Sequence, residues 1–129
     1  MEQINSPINF NKITKDYDTS DLTILYSEKQ KEGFNGFCAS SDTFDFKPYK
    51  GKQYRLPFIM LCIGKNDYPY KAVDRFKVEF VAKNKEELIL FLFWHEFQHY
   101  LDKKIGVKTK HSEISEIAYN RVWAKKDGE

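Results

Sequence analysis

Apolar residues are concentrated in one part of the chain, and their pattern predicts one long helix over 86–104. The longest uninterrupted apolar run is 88–94, and Phe97 and Leu101 continue it. In a helix with 3.6 residues per turn these side chains project to nearly every side, which is typical of a central, buried helix. Polar residues inside such a helix therefore need an explanation.

Capping residues mark the ends of this helix and the start of another. Asn84 suits the N-cap, and Glu87 three residues later has the spacing of a capping box. Gly106 after a basic pair predicts the end of the helix. Ser112 then suits the N-cap of a second helix over 113–124, in which apolar residues recur at helical spacing.

The strand signals lie mostly before the long helix. We predict strands over 21–27, over 43–46 and over 54–64, the last apolar on both faces between 58 and 63. Residues 75–82 alternate apolar and polar side chains, as in a half-buried strand, and are expected to pair with 58–63 as a hairpin. Strands followed by two helices predict an α+β fold.

Length and charge limit the range of functions. A chain of 129 residues with eleven Phe and eight Tyr can form one core, so we predict a single domain over 1–129 with poorly ordered ends at 1–20 and 125–129. The net charge is only +2, which does not demand a nucleic-acid partner. Cys38 and Cys62 are expected to be reduced, buried thiols.

Neither a secretory signal nor a membrane span is indicated by the sequence. The first residues lack the basic start and apolar run of a signal peptide. The apolar run at 88–94 is far shorter than the roughly 20 residues that cross a bilayer. A soluble, cytoplasmic protein without a membrane partner is therefore expected.

The polar residues of the long helix form an H-E-x-x-H pattern: His95, Glu96 and His99. Two histidines four residues apart lie on one face of a helix, where their imidazoles can bind one Zn²⁺ ion with little loss of chain entropy. Glu96 lies beside the first of them, so its carboxylate can take a proton from a metal-activated water. The pattern predicts a zinc site with Glu96 as general base.

A third zinc ligand is not determined by this pattern. Glu116 and Glu113 lie on the second predicted helix, and His111 lies just before it. His111, Glu113 and Glu116 are all open candidates on the residues alone. Asp102, three residues after His99, is a candidate for a carboxylate that orients a ligand from outside the coordination sphere.

The H-E-x-x-H motif and the Glu-bearing helix after it resemble the zincin metallopeptidases. Metzincins have a further histidine six residues after the second one and a glycine midway, where this chain has Ile105 and Asp102. Glu116-Ile117-Ala118 is more similar to the third-ligand segment of small gluzincins. This resemblance makes Glu116 the preferred third ligand, with His111 and Glu113 as alternatives. His111-Ser112 looks like that of SprT-like proteases.

This resemblance implies a small zincin-like domain, with a short, mostly antiparallel sheet packed on a central helix. It implies a zinc-dependent metalloendopeptidase, a hydrolase that acts on a peptide or protein substrate. An extended substrate would pair with the strand at 58–63 or at 76–82. Candidates for steadying the oxyanion are Tyr119, Tyr100 and Arg121.

Two other functions fit the same residues. The protein is a non-catalytic zincin-fold binding module if His111 and a glutamate close a structural zinc site with four protein ligands. It is a DNA-associated, SprT-like protease if the lysines of the C-terminal third form a basic edge that binds nucleic acid.

Overall fold

The computed structural model describes residues 1–39 and 57–123. The strand predicted at 43–46 and the poorly ordered end predicted at 125–129 lie outside these ranges. The elements in chain order are β1 (Glu2–Ile4), α1 (Phe10–Ile13), β2 (Thr23–Ser27), β3 (Phe34–Ala39), β4 (Phe58–Ile63), β5 (Tyr70–Val73), β6 (Glu79–Ala82), α2 (Lys85–Ile105) and α3 (His111–Trp123). The α+β class is confirmed.

The main sheet has four strands in the order β1-β2-β4-β3. β1 pairs with β2 and β2 with β4 in parallel, whereas only β3 and β4 pair antiparallel. The prediction of a mostly antiparallel sheet is therefore wrong for this sheet. All five residues of β2 and four of the six in β4 are buried, as is typical of strands in the interior of a sheet.

A separate two-stranded sheet, β5–β6, replaces the hairpin predicted between 58–63 and 76–82. The chain turns at 74–78 because the Asp74 carboxylate oxygen Oδ1 accepts the backbone N–H groups of Phe76, at 2.8 Å, and Val78, at 3.0 Å. Lys77 has a left-handed φ of 69° in this turn. The alternating pattern at 75–82 thus contains a turn followed by a short strand.

The N-terminal segment is built into the fold, although the sequence predicts poor order over 1–20. Phe10 is fully buried, and its ring stacks on Phe93 of α2 with 4.3 Å between centroids. Gln3 of β1 accepts the Phe10 backbone N–H through Oε1 at 2.8 Å. One buried aromatic side chain therefore anchors a segment whose composition is mainly polar.

The long helix α2 is central, as its apolar pattern predicts, and packs against β3, β4, β6 and α3. The Asn84 side chain caps it by accepting the Glu87 N–H at 3.0 Å, and Gly106 ends it with φ 73°. Glu87 in turn accepts a hydrogen bond from the indole N–H of Trp123 at 2.9 Å, which ties the start of α2 to the end of α3. Within the described ranges, no helix is both long and apolar enough to cross a membrane.

Both cysteines are free, as predicted, but each is only partly buried. Cys38 of β3 is opposite Ile59, and Cys62 of β4 is opposite Asn35. The register therefore separates the two thiols along the β3–β4 pair.

Candidate metal centre

Three histidines meet where α2 and α3 pack together. His95 and His99 come from α2, and His111 is the first residue of α3. Each ring offers one nitrogen, and the three nitrogens all lie within 4.8 Å of one another. In a tetrahedral zinc site they would be about 3.4 Å apart, so closing around an ion needs side-chain shifts on the order of an ångström.

The face of α3 that packs on α2 decides which third ligand reaches this cluster. Ile114, Ser115 and Ala118 are the buried residues of α3, and His111 lies one turn before this surface. Glu113 and Glu116 are exposed and do not join the described cluster. Of the three candidates for third ligand, the structure brings only His111 to His95 and His99.

His95 is oriented by a residue that sequence reasoning missed. The Ser115 hydroxyl oxygen lies 3.0 Å from His95 Nδ1, and Ser115 is fully buried. This contact occupies Nδ1 and leaves Nε2 for an ion; Nε2 is 4.0 Å from a Glu96 carboxylate oxygen. The only signal for Ser115 in the sequence is its position one helical turn after His111.

An aromatic ring from the β5–β6 turn closes one side of the cluster. The Phe76 ring is nearly parallel to the His95 ring, with centroids 5.6 Å apart, and to the His111 ring, at 4.7 Å. The Asp74 carboxylate holds this turn through two backbone N–H groups. The turn therefore positions an apolar wall against two of the candidate ligands.

The cluster lies in a pocket of about 880 Å³. Its walls come from β3, the β5–β6 turn, α2 and the connector between α2 and α3. Gly36 lets β3 approach α2 closely, because a Cβ there would lie 3.0 Å from Leu92 Cδ1 and 3.1 Å from the Met60 carbonyl oxygen. The volume is in the range that holds a small ligand or a few residues of a peptide.

Burial shifts the pKa of the key groups in directions that suit metal binding and proton transfer. Burial, with a smaller effect of the neighbouring His99, lowers the pKa of His95 to about 4, and burial also lowers the pKa of His99. Both imidazoles are thus neutral at pH 7, as ligands must be. Burial raises the pKa of Glu96 to about 7, near the optimum for a general base at neutral pH.

Two further buried carboxylates line the pocket. Asp102 accepts a hydrogen bond from Gln98 through Oδ1 at 2.9 Å, and Asp74 uses its Oδ1 for the turn. The Oδ2 atom of each is buried and has no hydrogen-bond partner among the described residues. Uncompensated negative charge is costly in the interior, and a nearby dication would offset it. The pocket therefore fits a cation.

The residues proposed from sequence to steady an oxyanion lie elsewhere. The Tyr100 hydroxyl donates to the Asp21 carboxylate, and the Arg121 guanidinium lies over the Trp94 ring at 4.5 Å. Tyr119 packs against the hydrophobic core. None of these three candidates is among the described residues that line the pocket.

Arg75 does line the pocket, beside Phe76 on the β5–β6 turn. Its guanidinium lowers the pKa of both Glu96 and His95, although burial dominates each shift. Sequence reasoning missed Arg75 because it assigned the residue to a strand.

A scan against protein-family models, a search of curated proteins and a search of solved structures each found no match. The similarity to zincins thus rests on the motif, and function has to be inferred from the chemistry of the site. Three imidazoles suit zinc, copper, iron or nickel. A site with three protein ligands beside an open pocket is typical of catalytic rather than structural zinc.

Proposed function

We propose that this protein is a zinc-dependent metallopeptidase, with His95, His99 and His111 as zinc ligands and Glu96 as general base. One observation supports the proposal most directly: three histidine nitrogens lie close together in a pocket that a buried glutamate also lines. His111 replaces Glu116 as the preferred third ligand because, among the described residues, His111 joins the cluster and Glu116 does not.

The chemistry follows from the placement of these groups. When bound, zinc supplies a Lewis acid and lowers the pKa of a water in its open position. Glu96, 94% buried and with its pKa raised to about 7, accepts a proton from water and passes it to the leaving amine. Ser115 holds the His95 ring, and Phe76 keeps bulk water from one side of the cluster.

An extended polypeptide is the substrate that suits this pocket. Residues 34–38 of β3 line it, and β3 is the outer strand of the four-stranded sheet as far as the structure describes it. Outer strands of a sheet can bind extended peptides through backbone hydrogen bonds. Residues 58–63 cannot serve in this way, because β4 lies between β2 and β3. A cytoplasmic location stays a prediction that the unbridged cysteines favour.

The test combines metal analysis with an activity assay. Protein purified without a histidine tag should contain one zinc per chain and cleave an unfolded protein. Glu96→Gln should keep the zinc and lose on the order of 10²–10⁴-fold in rate. His111→Ala should lose zinc affinity, while Glu116→Gln, which removes a charge outside the cluster, should change neither property. A wild-type protein that binds no zinc would overturn the proposal.

A structural zinc module is the competing outcome. It needs a fourth protein ligand, and no fourth His, Cys, Asp or Glu joins the cluster among the residues that the structure describes. X-ray absorption counts the protein ligands directly. Three imidazoles with one water-derived oxygen support the peptidase, whereas four protein ligands with no cleavage would identify a binding module.

A further inference from the structure

The charged residues of the metal pocket are sorted by depth. Among the described lining residues, every Asp and Glu is buried and every Arg and Lys is exposed. The buried set is Asp74, Glu96 and Asp102, and the exposed set is Arg75, Lys103 and Lys108. We call the exposed set the mouth cations. The pocket therefore has an acidic floor and a basic mouth.

The mouth cations come from three separate elements. Arg75 lies on the β5–β6 turn, Lys103 on the last turn of α2, and Lys108 on the connector to α3. None forms an ion pair with another described residue, in contrast to Lys85 and Lys104, which pair with acidic side chains. Within the part of the chain that the structure describes, all three positive charges are thus available to a ligand that enters the pocket.

The backbone that carries Arg75 is held in place. The two hydrogen bonds to Asp74 Oδ1 define the turn, and the neighbouring Phe76 ring stacks on His95 and His111. Arg75 and the proposed base Glu96 line the same pocket. A group bound by Arg75 would therefore lie close to the reacting bond.

We propose that the pocket selects polypeptide segments with carboxylate side chains flanking the bond to be cleaved. This inference rests on the proposed function and adds a substrate class to it. Carboxylates would pair with the mouth cations at the entrance of the pocket. Apolar substrate side chains would contact the inner walls, which include Phe34, Phe91 and Leu92.

Nucleic acid is the other polyanion that a basic mouth attracts. A polypeptide fits better because it offers apolar side chains to the aromatic walls together with carboxylates to the mouth. Phosphates, by contrast, would place a regular negative charge over a pocket with three buried acidic residues. The two polyanions are separated by the binding experiment below.

The experiment measures binding and cleavage separately. Fluorescein-labelled peptides of one apolar sequence, flanked by Glu, Gln or Lys, are titrated by anisotropy against the zinc-loaded Glu96→Gln protein. Wild type is assayed for cleavage of the same peptides. Each surface charge pair contributes about two- to five-fold in affinity. The Glu peptide should therefore bind on the order of ten-fold more tightly than the Gln peptide. The preference should weaken as salt is raised.

A matched pair of triple variants tests the mouth cations. Replacing Arg75, Lys103 and Lys108 by Gln should remove the preference for Glu over Gln, with zinc content unchanged. Replacing Lys12, Lys65 and Lys71, exposed lysines outside the pocket, changes the net charge equally and should leave the preference intact.

The outcomes distinguish this inference from the proposed function. Equal binding of the three peptides, with Glu96-dependent cleavage still present, would overturn the inference alone. A Glu preference that depends on the mouth cations, without any cleavage, would support the inference and overturn the peptidase assignment. A labelled single-stranded oligonucleotide that displaces the Glu peptide and binds more tightly through the same cations would assign the mouth to nucleic acid.

Discussion

The two ring nitrogens of His95 have different surroundings, and its tautomer would decide whether the ring can bind the proposed ion. Ser115 Oγ lies 3.0 Å from His95 Nδ1. When Ser115 accepts this hydrogen bond, the ring proton is on Nδ1. The unprotonated Nε2 can then bind an ion. Groups that orient a ligand in this way commonly contribute ten- to hundred-fold to metal affinity.

Ser115→Ala should therefore weaken zinc binding by about ten-fold or more, because the His95 ring loses its only described hydrogen bond. Competition with a chromophoric chelator measures this affinity. Ser112→Ala, at an exposed position of the same helix, is the matched control and should bind zinc as wild type does. An unchanged affinity in Ser115→Ala would show that packing alone orients His95.

Asp102 should affect the metal-free and metal-bound proteins in opposite directions. Asp102→Asn keeps an acceptor for Gln98 but removes a buried negative charge that has one unpartnered oxygen. We expect the metal-free protein to gain up to about 1 kcal/mol in unfolding free energy and zinc affinity to fall several-fold. Urea unfolding in the presence of EDTA and zinc titration measure the two effects. Loss of stability without any change in zinc affinity would assign Asp102 a purely structural role.

At the scale of elements, the helices could be predicted because their signals are local. The apolar periodicity, the Asn84 cap and the Gly106 terminator each depend on residues within one or two turns. The H-E-x-x-H motif is equally local, since helical geometry alone brings His95 and His99 to one face. Choosing His111 over Glu116 required the face on which α3 packs, which is a tertiary property.

The strand arrangement could not be predicted from local pattern. Apolar and polar residues alternate over 75–82 as they do in a strand. The Asp74 carboxylate nevertheless accepts two backbone N–H groups of this segment and so stabilises a turn in it. The parallel pairing of β1 with β2 is nonlocal, and its anchor is the burial of Phe10 in a polar segment. The position of Arg75 at the pocket depends on the turn at 74–78, so it could not be predicted from the local pattern either.

The approach of β3 to α2 gives a prediction about the pocket wall. Gly36→Ala places a methyl group 3.0 Å from Leu92 Cδ1 and 3.1 Å from the Met60 carbonyl oxygen, so side chain or backbone must shift. We expect a loss of about 1–3 kcal/mol in unfolding free energy, measured by urea denaturation. Asn35→Ala, at an exposed position of the same strand, should change stability by less than about 0.5 kcal/mol. Equal stabilities of the two variants would show that β3 is not closely packed on α2.

At the scale of the whole molecule, the candidate site joins elements that are distant in sequence. The candidate ligands come from α2 and α3, the Phe76 wall from the β5–β6 turn, and the remaining wall from β3. An ion that binds only this folded arrangement would stabilise it by about 2.7 kcal/mol at a concentration 100 times its dissociation constant. If the proposed metal binds, stability and metal content would therefore be linked.

Without metal, the buried Glu96 should contribute less stability at neutral pH than at acid pH. Its pKa in the folded protein is raised from 4.5 to about 7, so the folded state binds the proton more tightly than the unfolded state. Stability from this group is fully present below pH 4.5 and is lost as pH rises to 7. Glu96→Gln carries no such charge and should be more stable than wild type at pH 8.

The difference between the two proteins should reach about 3 kcal/mol at pH 8 and vanish below pH 4.5. Urea unfolding in EDTA across this range measures it. His95 titrates in the opposite sense, since its lowered pKa removes stability as pH falls from 6.5 to about 4, but it is present in both proteins and cancels in the comparison. Glu116→Gln, an exposed site outside the pocket, should follow wild type throughout. If the Glu96→Gln curve also follows wild type, Glu96 is solvated in the folded protein and is not the poised base proposed for it.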